Sequence, residues 1–260
     1  MHTVTSADGT RIGYAQSGSG PALLLVHGTT ADHRRWYPLL PYLEPHFTVC
    51  AMDRRGRGDS GDAPNYHIQR EAEDVAAVVD AIGGPVSVLG HSYGAICSLE
   101  AALLTPNMHR LVLYEPPIPT GIPLTSPELL SRMEALIASN DNEAALELFF
   151  HETVGMPEHE LKAYRQLAAW PIRVKLASTI PREERIDGTY TFDPKRFAAL
   201  QLPTLLLQGS DSPQYMQQAT TTVDSALPNS TIVILSGQRH VAMDTVPEIF
   251  ISEILSFLRG

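Results

Sequence analysis

The sequence predicts an α/β fold, in which a mostly parallel sheet is flanked by helices. Short apolar runs alternate with helical stretches along most of the 260 residues. Most of these runs are continuously apolar, as parallel strands are when helices cover both faces of the sheet. Hydrophobic residues make up 43% of the chain and charged residues 18%, which is ordinary for a globular protein with a substantial core. Right-handed crossover connections are expected between the strands.

The predicted strands and helices follow one another in a regular order. A first strand over 10–16 lies next to the turn residues Asp8-Gly9 and indicates an antiparallel hairpin. Continuous apolar strands are predicted over 22–27, 47–53, 85–89, 110–115, 204–208 and 231–236. Helices are predicted over 68–82, where apolar residues recur at helical spacing, over 95–104 and over 247–258.

One segment, between the strands at 110–115 and 204–208, interrupts this alternation. It opens with five prolines between residues 116 and 127, which prevent a regular element. Helical patterns follow at about 127–139, 141–153, 157–169 and 171–179, with a weak strand-like run at 189–192. An insertion here lies at the carboxyl edge of the sheet, where ligands bind in such folds. We therefore predict a core domain formed by 1–116 and 203–260 and a helical lid over 117–202, with an interaction bundle as the alternative.

Composition and charge restrict the partners of the protein. A formal net charge of −10 argues against binding to nucleic acid or to an anionic membrane surface. No apolar run approaches eighteen residues, and residues 1–9 lack the charged and apolar regions of a secretory signal. Cys50 and Cys97 lie inside apolar runs, which indicates buried free thiols in a reducing compartment. We expect a cytoplasmic protein that acts on a small molecule.

Residues 90–94 read Gly-His-Ser-Tyr-Gly and directly follow a predicted strand. The strand ends at Leu89 and helix-forming residues begin at Ala95, so Ser92 lies on a strand-to-helix turn. Glycines two residues away on either side allow tight backbone dihedrals and close approach of strand, helix and ligand. In this setting Gly-x-Ser-x-Gly indicates a nucleophile elbow. The pattern alone also fits an ordinary turn whose serine caps the helix.

A serine hydroxyl is a poor nucleophile until a neighbouring base accepts its proton, so Ser92 needs an imidazole. Ten histidines are available. His240 follows the strand at 231–236 through a glycine-containing loop and precedes the last helix. Such a loop lies at the same edge of the sheet as the elbow. We predict His240 as the base, whereas packing, turn or surface roles fit His27, His91 and the other histidines.

Five features in one order resemble the α/β-hydrolase superfamily. They are His27-Gly-Thr-Thr30, the loop Asp53–Ser60, Gly90-His-Ser-Tyr-Gly94, the helical insertion and Gly237-Gln-Arg-His240. The resemblance covers essentially the whole chain. It implies a core of about eight strands, a helical cap inserted after the sixth strand, and nucleophile–acid–histidine chemistry, in which no metal or organic cofactor is required.

The oxyanion of an acyl-transfer reaction needs fixed N–H donors. The backbone N–H of Tyr93 begins the helix after the nucleophile and gains from the helix dipole. The resemblance implies a second donor in the backbone N–H of Thr29. The loop over 53–60 resembles a structural signature of the superfamily, and we interpret it as a glycine turn locked by salt bridges.

The acid of the triad departs from the common pattern of the superfamily. The usual acid follows the seventh strand in Gly-x-x-Asp, but here Gly209-Ser-Asp-Ser-Pro213 puts Asp211 one residue early. Glu115 ends the strand at 110–115, beside the elbow strand. This region resembles zearalenone lactonases, which carry the acid after the sixth strand. We favour Glu115 as the acid and retain Asp211 as the alternative. A non-catalytic role, in which the carboxylate caps a turn, also fits either residue.

These residues predict a serine hydrolase with a small, apolar ester or lactone as substrate and an acyl-enzyme intermediate. A serine nucleophile disfavours haloalkane and epoxide hydrolysis, for which relatives use aspartate. A carbon–carbon bond hydrolase of the same fold and a hydrolase-fold receptor with little turnover stay open. Trp170 and Met156 are expected to form an apolar wall of the substrate pocket, as are Phe149 and Phe150, unless they merely pack the core of the cap.

Overall fold

The computed structural model describes residues 1–121 and 124–260, and it confirms the predicted fold class. Eight strands form one sheet in the order β1-β2-β4-β3-β5-β6-β7-β8. The strands are β1 His2–Thr5, β2 Arg11–Gly18, β3 Ala22–Val26, β4 Thr48–Met52, β5 Val86–His91, β6 Met108–Tyr114, β7 Thr204–Gly209 and β8 Ser230–Leu235. Strands β1 and β2 pair antiparallel, β2 also pairs antiparallel with β4, and all other pairs are parallel.

Strand β1 was not predicted from the sequence. Its four residues are mostly exposed, and it lies at the edge of the sheet, paired with β2 from His2↔Tyr14 to Thr5↔Arg11. A short exposed edge strand needs no continuous apolar run, so hydrophobic periodicity does not reveal it.

Helices cover both faces of the sheet and complete two apolar cores. In chain order the α-helices are α1 Leu40–Leu43, α2 Ile68–Ile82, α3 Tyr93–Ala101, α4 Pro127–Ala138, α5 Asn142–Leu148, α6 Glu158–Tyr164, α7 Trp170–Leu176, α8 Ile180–Glu184, α9 Ile186–Thr189, α10 Gln214–Ala226, α11 Ala242–Thr245 and α12 Pro247–Arg259. Helices α2, α3 and α10 pack against one face of the sheet, and α12 packs against the other. None of the described helices is long and apolar enough to cross a membrane.

Helices α4 to α9 form the insertion between β6 and β7. Residues of α4 to α8 share an apolar cluster with Met216 and Val241 of the core, and Ile186 of α9 packs into the core cluster beneath, so the insertion packs directly on the carboxyl edge of the sheet. The strand-like run at 189–192 is not a strand, because α9 ends at Thr189 and Phe192 instead stacks on Phe197 with ring centroids 5.2 Å apart. Pro123, one of the five prolines that open the segment, lies outside the described residues.

The loop after β4 is locked by buried salt bridges, as the sequence interpretation expected. Arg54 binds both oxygens of Glu71 at 2.7 and 2.9 Å and also contacts Glu183 at 2.8 Å. Arg57 donates to the same Glu183 carboxylate. Gly58 has a φ of +51°, and a side chain there would collide with the Asp53 carboxylate. Because Glu183 lies in α8, this network joins the insertion to the core.

The network makes a prediction about stability. Arg54→Leu should lower the free energy of unfolding by about 3–5 kcal/mol, because Glu71 and Glu183 would stay buried with too little positive charge beside them. Urea unfolding followed by circular dichroism measures this change. Arg70→Leu is the control: Arg70 is 41% exposed in its pair with Glu73, so its loss should cost at most about 1 kcal/mol. Equal losses in the two variants would contradict the role given to the buried network.

Candidate active site

Ser92 occupies the turn between β5 and α3 in a strained backbone conformation. Its φ of 56° and ψ of −128° are unusual for a residue with a side chain. The turn is held because Ser92 N–H donates to the Tyr114 carbonyl at 2.9 Å and Ala95 N–H donates to the Ser92 carbonyl at 2.8 Å. The Ser92 side chain does not cap its own helix, so its hydroxyl stays available for another partner. Backbone strain retained at a half-buried serine is typical of a functional turn.

Three glycines leave the space that this turn needs. A Cβ on Gly28 would lie 2.8 Å from the Cβ of Ser92, so the loop after β3 passes directly beside the serine. A Cβ on Gly94 would collide with the carbonyl oxygens of Val26 and His27, and one on Gly90 would lie 2.7 Å from Ser98 Oγ. The glycines of the elbow therefore permit close packing of β3, β5 and α3.

The loop after β8 holds His240 beside the elbow. His91 Nε2 donates to the His240 carbonyl at 3.0 Å, and the two imidazole rings lie 4.7 Å apart between centroids. The Tyr114 hydroxyl donates to the Arg239 carbonyl and accepts from Ala242 N–H at 2.9 Å. Two side chains thus fix the backbone on both sides of His240. The sequence did not predict these roles. The only indication in it is that His91 directly precedes Ser92 and Tyr114 directly precedes Glu115.

Glu115 is the carboxylate that lies against His240. Its Oε2 lies 2.6 Å from His240 Nδ1, its Oε1 accepts from Gly209 N–H at 2.8 Å, and the residue is fully buried. Because a carboxylate accepts here, neutral His240 carries its proton on Nδ1, and Nε2 is left as an acceptor. The other candidate acid, Asp211, is exposed, and its Oδ1 accepts from Ser210 Oγ at 2.7 Å.

Ser92 and His240 line the same two small chambers under the insertion. The chambers have volumes of about 20 and 30 Å³. Among the described residues no hydrogen bond joins Ser92 Oγ to the His240 ring, so the two are brought to one site without direct bonding. Hydrogen bonds between a nucleophile and its base are often long before substrate binds.

The two residues predicted as oxyanion donors lie at these chambers. Thr29 lines both, and Tyr93 lines the larger one. The Tyr93 N–H is in the first turn of α3, where backbone N–H groups have no acceptor inside the helix. The Tyr93 hydroxyl accepts a hydrogen bond from the Tyr66 hydroxyl at 3.1 Å.

The predicted apolar wall divides into two groups. Phe149 and Phe150 line the chambers, as do Val154 and Val241. Trp170 and Met156 instead belong to the apolar cluster of the insertion and do not line either chamber.

Trp170 has a packing role that its residue type did not reveal. Its Nε1 donates to Glu143 at 2.8 Å, and its ring lies 6.1 Å from that of Phe150. A tryptophan at helical spacing gives the same sequence pattern whether it packs in a core or lines a pocket. Neither Trp170 nor Met156 lines a chamber beside Ser92, and their contact with substrate stays a prediction.

A wider pocket of about 380 Å³ lies outside the smaller chamber. The pocket and the chamber share Ala31, Tyr164 and Arg173, so these residues form the wall between them. This pocket gives the site an outer compartment that is far larger than the space beside Ser92.

Asp32, His33 and Asp53 are the described residues whose spacing suits a metal ion, with candidate ligand atoms within 4.8 Å of one another. Their atoms already have protein partners. Asp32 binds Arg34 at 2.5 Å, and Asp53 Oδ1 lies 2.9 Å from His33 Nδ1. These contacts, within the segment after β3 and between it and the loop after β4, therefore account for the cluster.

The chain belongs to the Alpha/beta hydrolase family, whose pattern it matches over residues 23–253. An α/β hydrolase from Sphaerobacter thermophilus is 38% identical, with a TM-score of 0.83 over 97% of this chain and 100% of that one. The esterase RhEst1 from Rhodococcus sp. is 26% identical, with a TM-score of 0.79 over 100% and 98% of the chains. The 2-(acetamidomethylene)succinate hydrolase of Mesorhizobium japonicum is 26% identical over 94% of this chain and 90% of its own. The protein is thus a hydrolase by family.

Burial of His91 predicts how stability depends on pH. Burial holds the pKa of His91 well below 6.5, and the nearby His240 and Arg35 act in the same direction. As the pH falls below about 6.5, His91 takes up a proton in the unfolded chain but not in the folded chain. The contribution of His91 to the free energy of unfolding is therefore complete above pH 6.5 and is lost as the pH falls. The loss reaches about 1.4 kcal/mol per pH unit.

His91→Gln should reduce the slope of the unfolding free energy against pH, between pH 6.5 and 5, by about 1.4 kcal/mol per pH unit. Urea unfolding at several pH values measures this slope. His159→Gln is the control, because the side chain of His159 is 82% exposed. An unchanged slope in His91→Gln would show that His91 is protonated in the folded protein.

Proposed function

We propose that the protein is a serine hydrolase that cleaves a carboxylic ester or lactone through an acyl-enzyme. Ser92 is the nucleophile, His240 is the base and Glu115 is the acid of the triad. The observation that carries the proposal is the buried hydrogen bond of 2.6 Å between Glu115 and His240, beside a serine on a strained strand-to-helix turn. Similarity to the esterase RhEst1 over the whole chain supports the same class of substrate.

Acylation uses the protonation state that Glu115 imposes on His240. With its Nδ1 proton held by the carboxylate, His240 accepts the Ser92 proton at Nε2, and Ser92 Oγ attacks the carbonyl carbon. The negative charge that develops on the carbonyl oxygen is stabilised by the backbone N–H groups of Thr29 and Tyr93. Glu115 stabilises the imidazolium, which then protonates the leaving alcohol, and the acyl-enzyme remains.

Deacylation repeats the same steps with water. His240 Nε2 accepts a proton from water, the hydroxide attacks the acyl carbon, and the oxyanion again lies at Thr29 and Tyr93. His240 then returns its proton to Ser92 Oγ as the carboxylic acid leaves. Every proton in the cycle moves through one nitrogen of His240.

The helical insertion acts as the lid of this site. Its residues Phe149, Val154 and Tyr164 line the smaller chamber with Ser92, and Glu183 lines the larger one. Chambers of about 20 and 30 Å³ hold roughly one water molecule each. An acyl group therefore reaches Ser92 only when the insertion moves away from the sheet edge, which makes lid movement part of turnover.

Ser92→Ala should abolish the hydrolysis of 4-nitrophenyl butyrate while the protein still folds, because no other group supplies the nucleophile. We expect a loss of about 10⁴-fold or more in kcat, as loss of a triad serine causes elsewhere. A fluorophosphonate should label wild-type protein at Ser92 only, as read by peptide mass spectrometry. The proposal is wrong if another serine is labelled or if Ser92→Ala keeps its activity.

Glu115→Gln should lower kcat by about 10⁴-fold, because an amide neither fixes the His240 tautomer nor stabilises the imidazolium. Asp211→Asn is the matched control, since it removes the other candidate carboxylate, which is exposed, and should change kcat little. Steady-state kinetics with 4-nitrophenyl butyrate, together with melting curves of both variants, separate loss of catalysis from loss of folding. A large loss in Asp211→Asn alone would move the acid to Asp211.

A further inference from the structure

Arg173 is a buried cation at the candidate active site. It lies in α7 of the insertion, is 5% exposed, and lines the smaller chamber together with Ser92 and His240. Its Nη1 donates to Thr30 Oγ1 at 3.1 Å and to the Thr29 carbonyl at 3.5 Å. These neutral acceptors do not balance its charge.

Arg173 differs from the other buried arginines of the protein. Arg35 binds both oxygens of Asp244, at 2.7 and 2.6 Å. Carboxylates also pair with the remaining three, Arg54, Arg55 and Arg57. Among the side chains that the structure describes, no carboxylate oxygen lies within 4.0 Å of the Arg173 guanidinium. A buried charge without a counter-ion is costly, so its retention needs a reason.

The aromatic rings beside Arg173 do not supply that counter-ion. The guanidinium lies over the rings of Phe150 and Tyr164, 5.5 and 5.3 Å from their centroids. Such contacts offset part of the desolvation of a cation but leave its charge unbalanced. Burial lowers the pKa of Arg173 from its ordinary value, yet an arginine stays protonated at neutral pH.

The unbalanced charge lies between the outer pocket and the chamber of Ser92. The lining of the outer pocket contains three arginines and two aspartates, Arg34, Arg35, Arg173, Asp32 and Asp244. Arg34 pairs with Asp32 and Arg35 pairs with Asp244, so only the charge of Arg173 remains. A ligand that extends from the outer pocket toward Ser92 passes this guanidinium.

We propose that Arg173 binds a carboxylate of the substrate, so that the substrate is an acyl compound with a free carboxylate a few bonds from the scissile carbonyl. The proposal rests on the ester hydrolysis at Ser92 proposed above. The planar guanidinium matches the two oxygens of a carboxylate, and one negative charge balances one positive charge. A phosphate dianion would leave excess negative charge beside Asp32 and Asp244.

The net charge of the chain makes this local site necessary for an acidic substrate. At −10 the protein as a whole repels anions, but salt screens exposed charges over about 8 Å at physiological ionic strength. An enclosed cation next to the chamber is screened far less. Recognition of an anion therefore depends on Arg173 rather than on the field of the whole surface.

Two esters that differ by one methyl group test the proposal. They are 4-nitrophenyl hemisuccinate, which has a free carboxylate, and methyl 4-nitrophenyl succinate, in which that carboxylate is a neutral ester. Wild-type kcat/KM should be about 10- to 100-fold higher for the hemisuccinate, as a charge-assisted hydrogen bond provides. Arg173→Met should remove this preference, whereas Lys175→Met, which removes an exposed charge from the same helix, should keep it.

Arg173→Lys covers the case in which Arg173→Met fails to fold. It keeps the charge without the planar fork, so the preference for the hemisuccinate should fall but not vanish. Equal losses for both esters in the Arg173 variants would assign Arg173 to packing of the insertion and overturn the proposal. A wild-type protein that hydrolyses both esters equally through Ser92 would also overturn it and leave the proposed function intact.

Binding without turnover separates this proposal from the proposed function. In Ser92→Ala protein, calorimetry should show that monomethyl succinate binds about 10- to 100-fold more weakly when Arg173→Met is added. This binding, together with no Ser92-dependent hydrolysis of either ester, would overturn ester hydrolysis and uphold the carboxylate site. Binding that does not depend on Arg173, or no binding at all, would overturn the carboxylate site.

Discussion

The arrangement of the whole site depends on one buried carboxylate. Glu115 is fully buried at the end of β6; one oxygen accepts from the backbone of β7 and the other from His240. A buried charge is tolerated only when its hydrogen bonds are satisfied, so these two contacts hold β6, β7 and the loop after β8 together. Glu115 itself has a φ of 46°, a backbone conformation that residues with a side chain rarely adopt. The position of the His240 ring is thus fixed by contacts with the sheet and not only by the loop after β8.

A second set of buried charges ties the insertion to the core. Arg54 and Arg57 follow β4 in the core, whereas Glu183 lies in α8 of the insertion, and the three form one network. Ion pairs of this kind contribute little net stability compared with apolar packing, but breaking one partner is expensive. They therefore restrict how α8 sits on the core.

The buried arginines of this protein serve two different purposes. Four of them are neutralised by carboxylates and lock loops or helices in place. Arg173 has hydroxyl, carbonyl and aromatic neighbours instead, at the boundary between a pocket of about 380 Å³ and the chamber of Ser92. A buried arginine that is paired with a carboxylate of the protein has a structural role. We propose that Arg173, which has no such carboxylate among the described side chains, binds a ligand instead. Membership of the hydrolase family does not distinguish these cases, because the family match gives no information about which buried arginines are paired with carboxylates.

The sequence by itself determined the α/β fold and the elbow, because both signals are local. Apolar runs and Gly-x-Ser-x-Gly are read within a few residues of one another, and the sheet edge on which Ser92, His240 and Glu115 meet follows from parallel strands. Only the tertiary structure showed which carboxylate contacts His240, since Glu115 and Asp211 both lie just after the ends of neighbouring strands. It also decided that Trp170 packs inside the insertion and that Arg173 has no carboxylate beside it among the described side chains. Those facts depend on the distances between side chains far apart in the chain, and no local pattern encodes them.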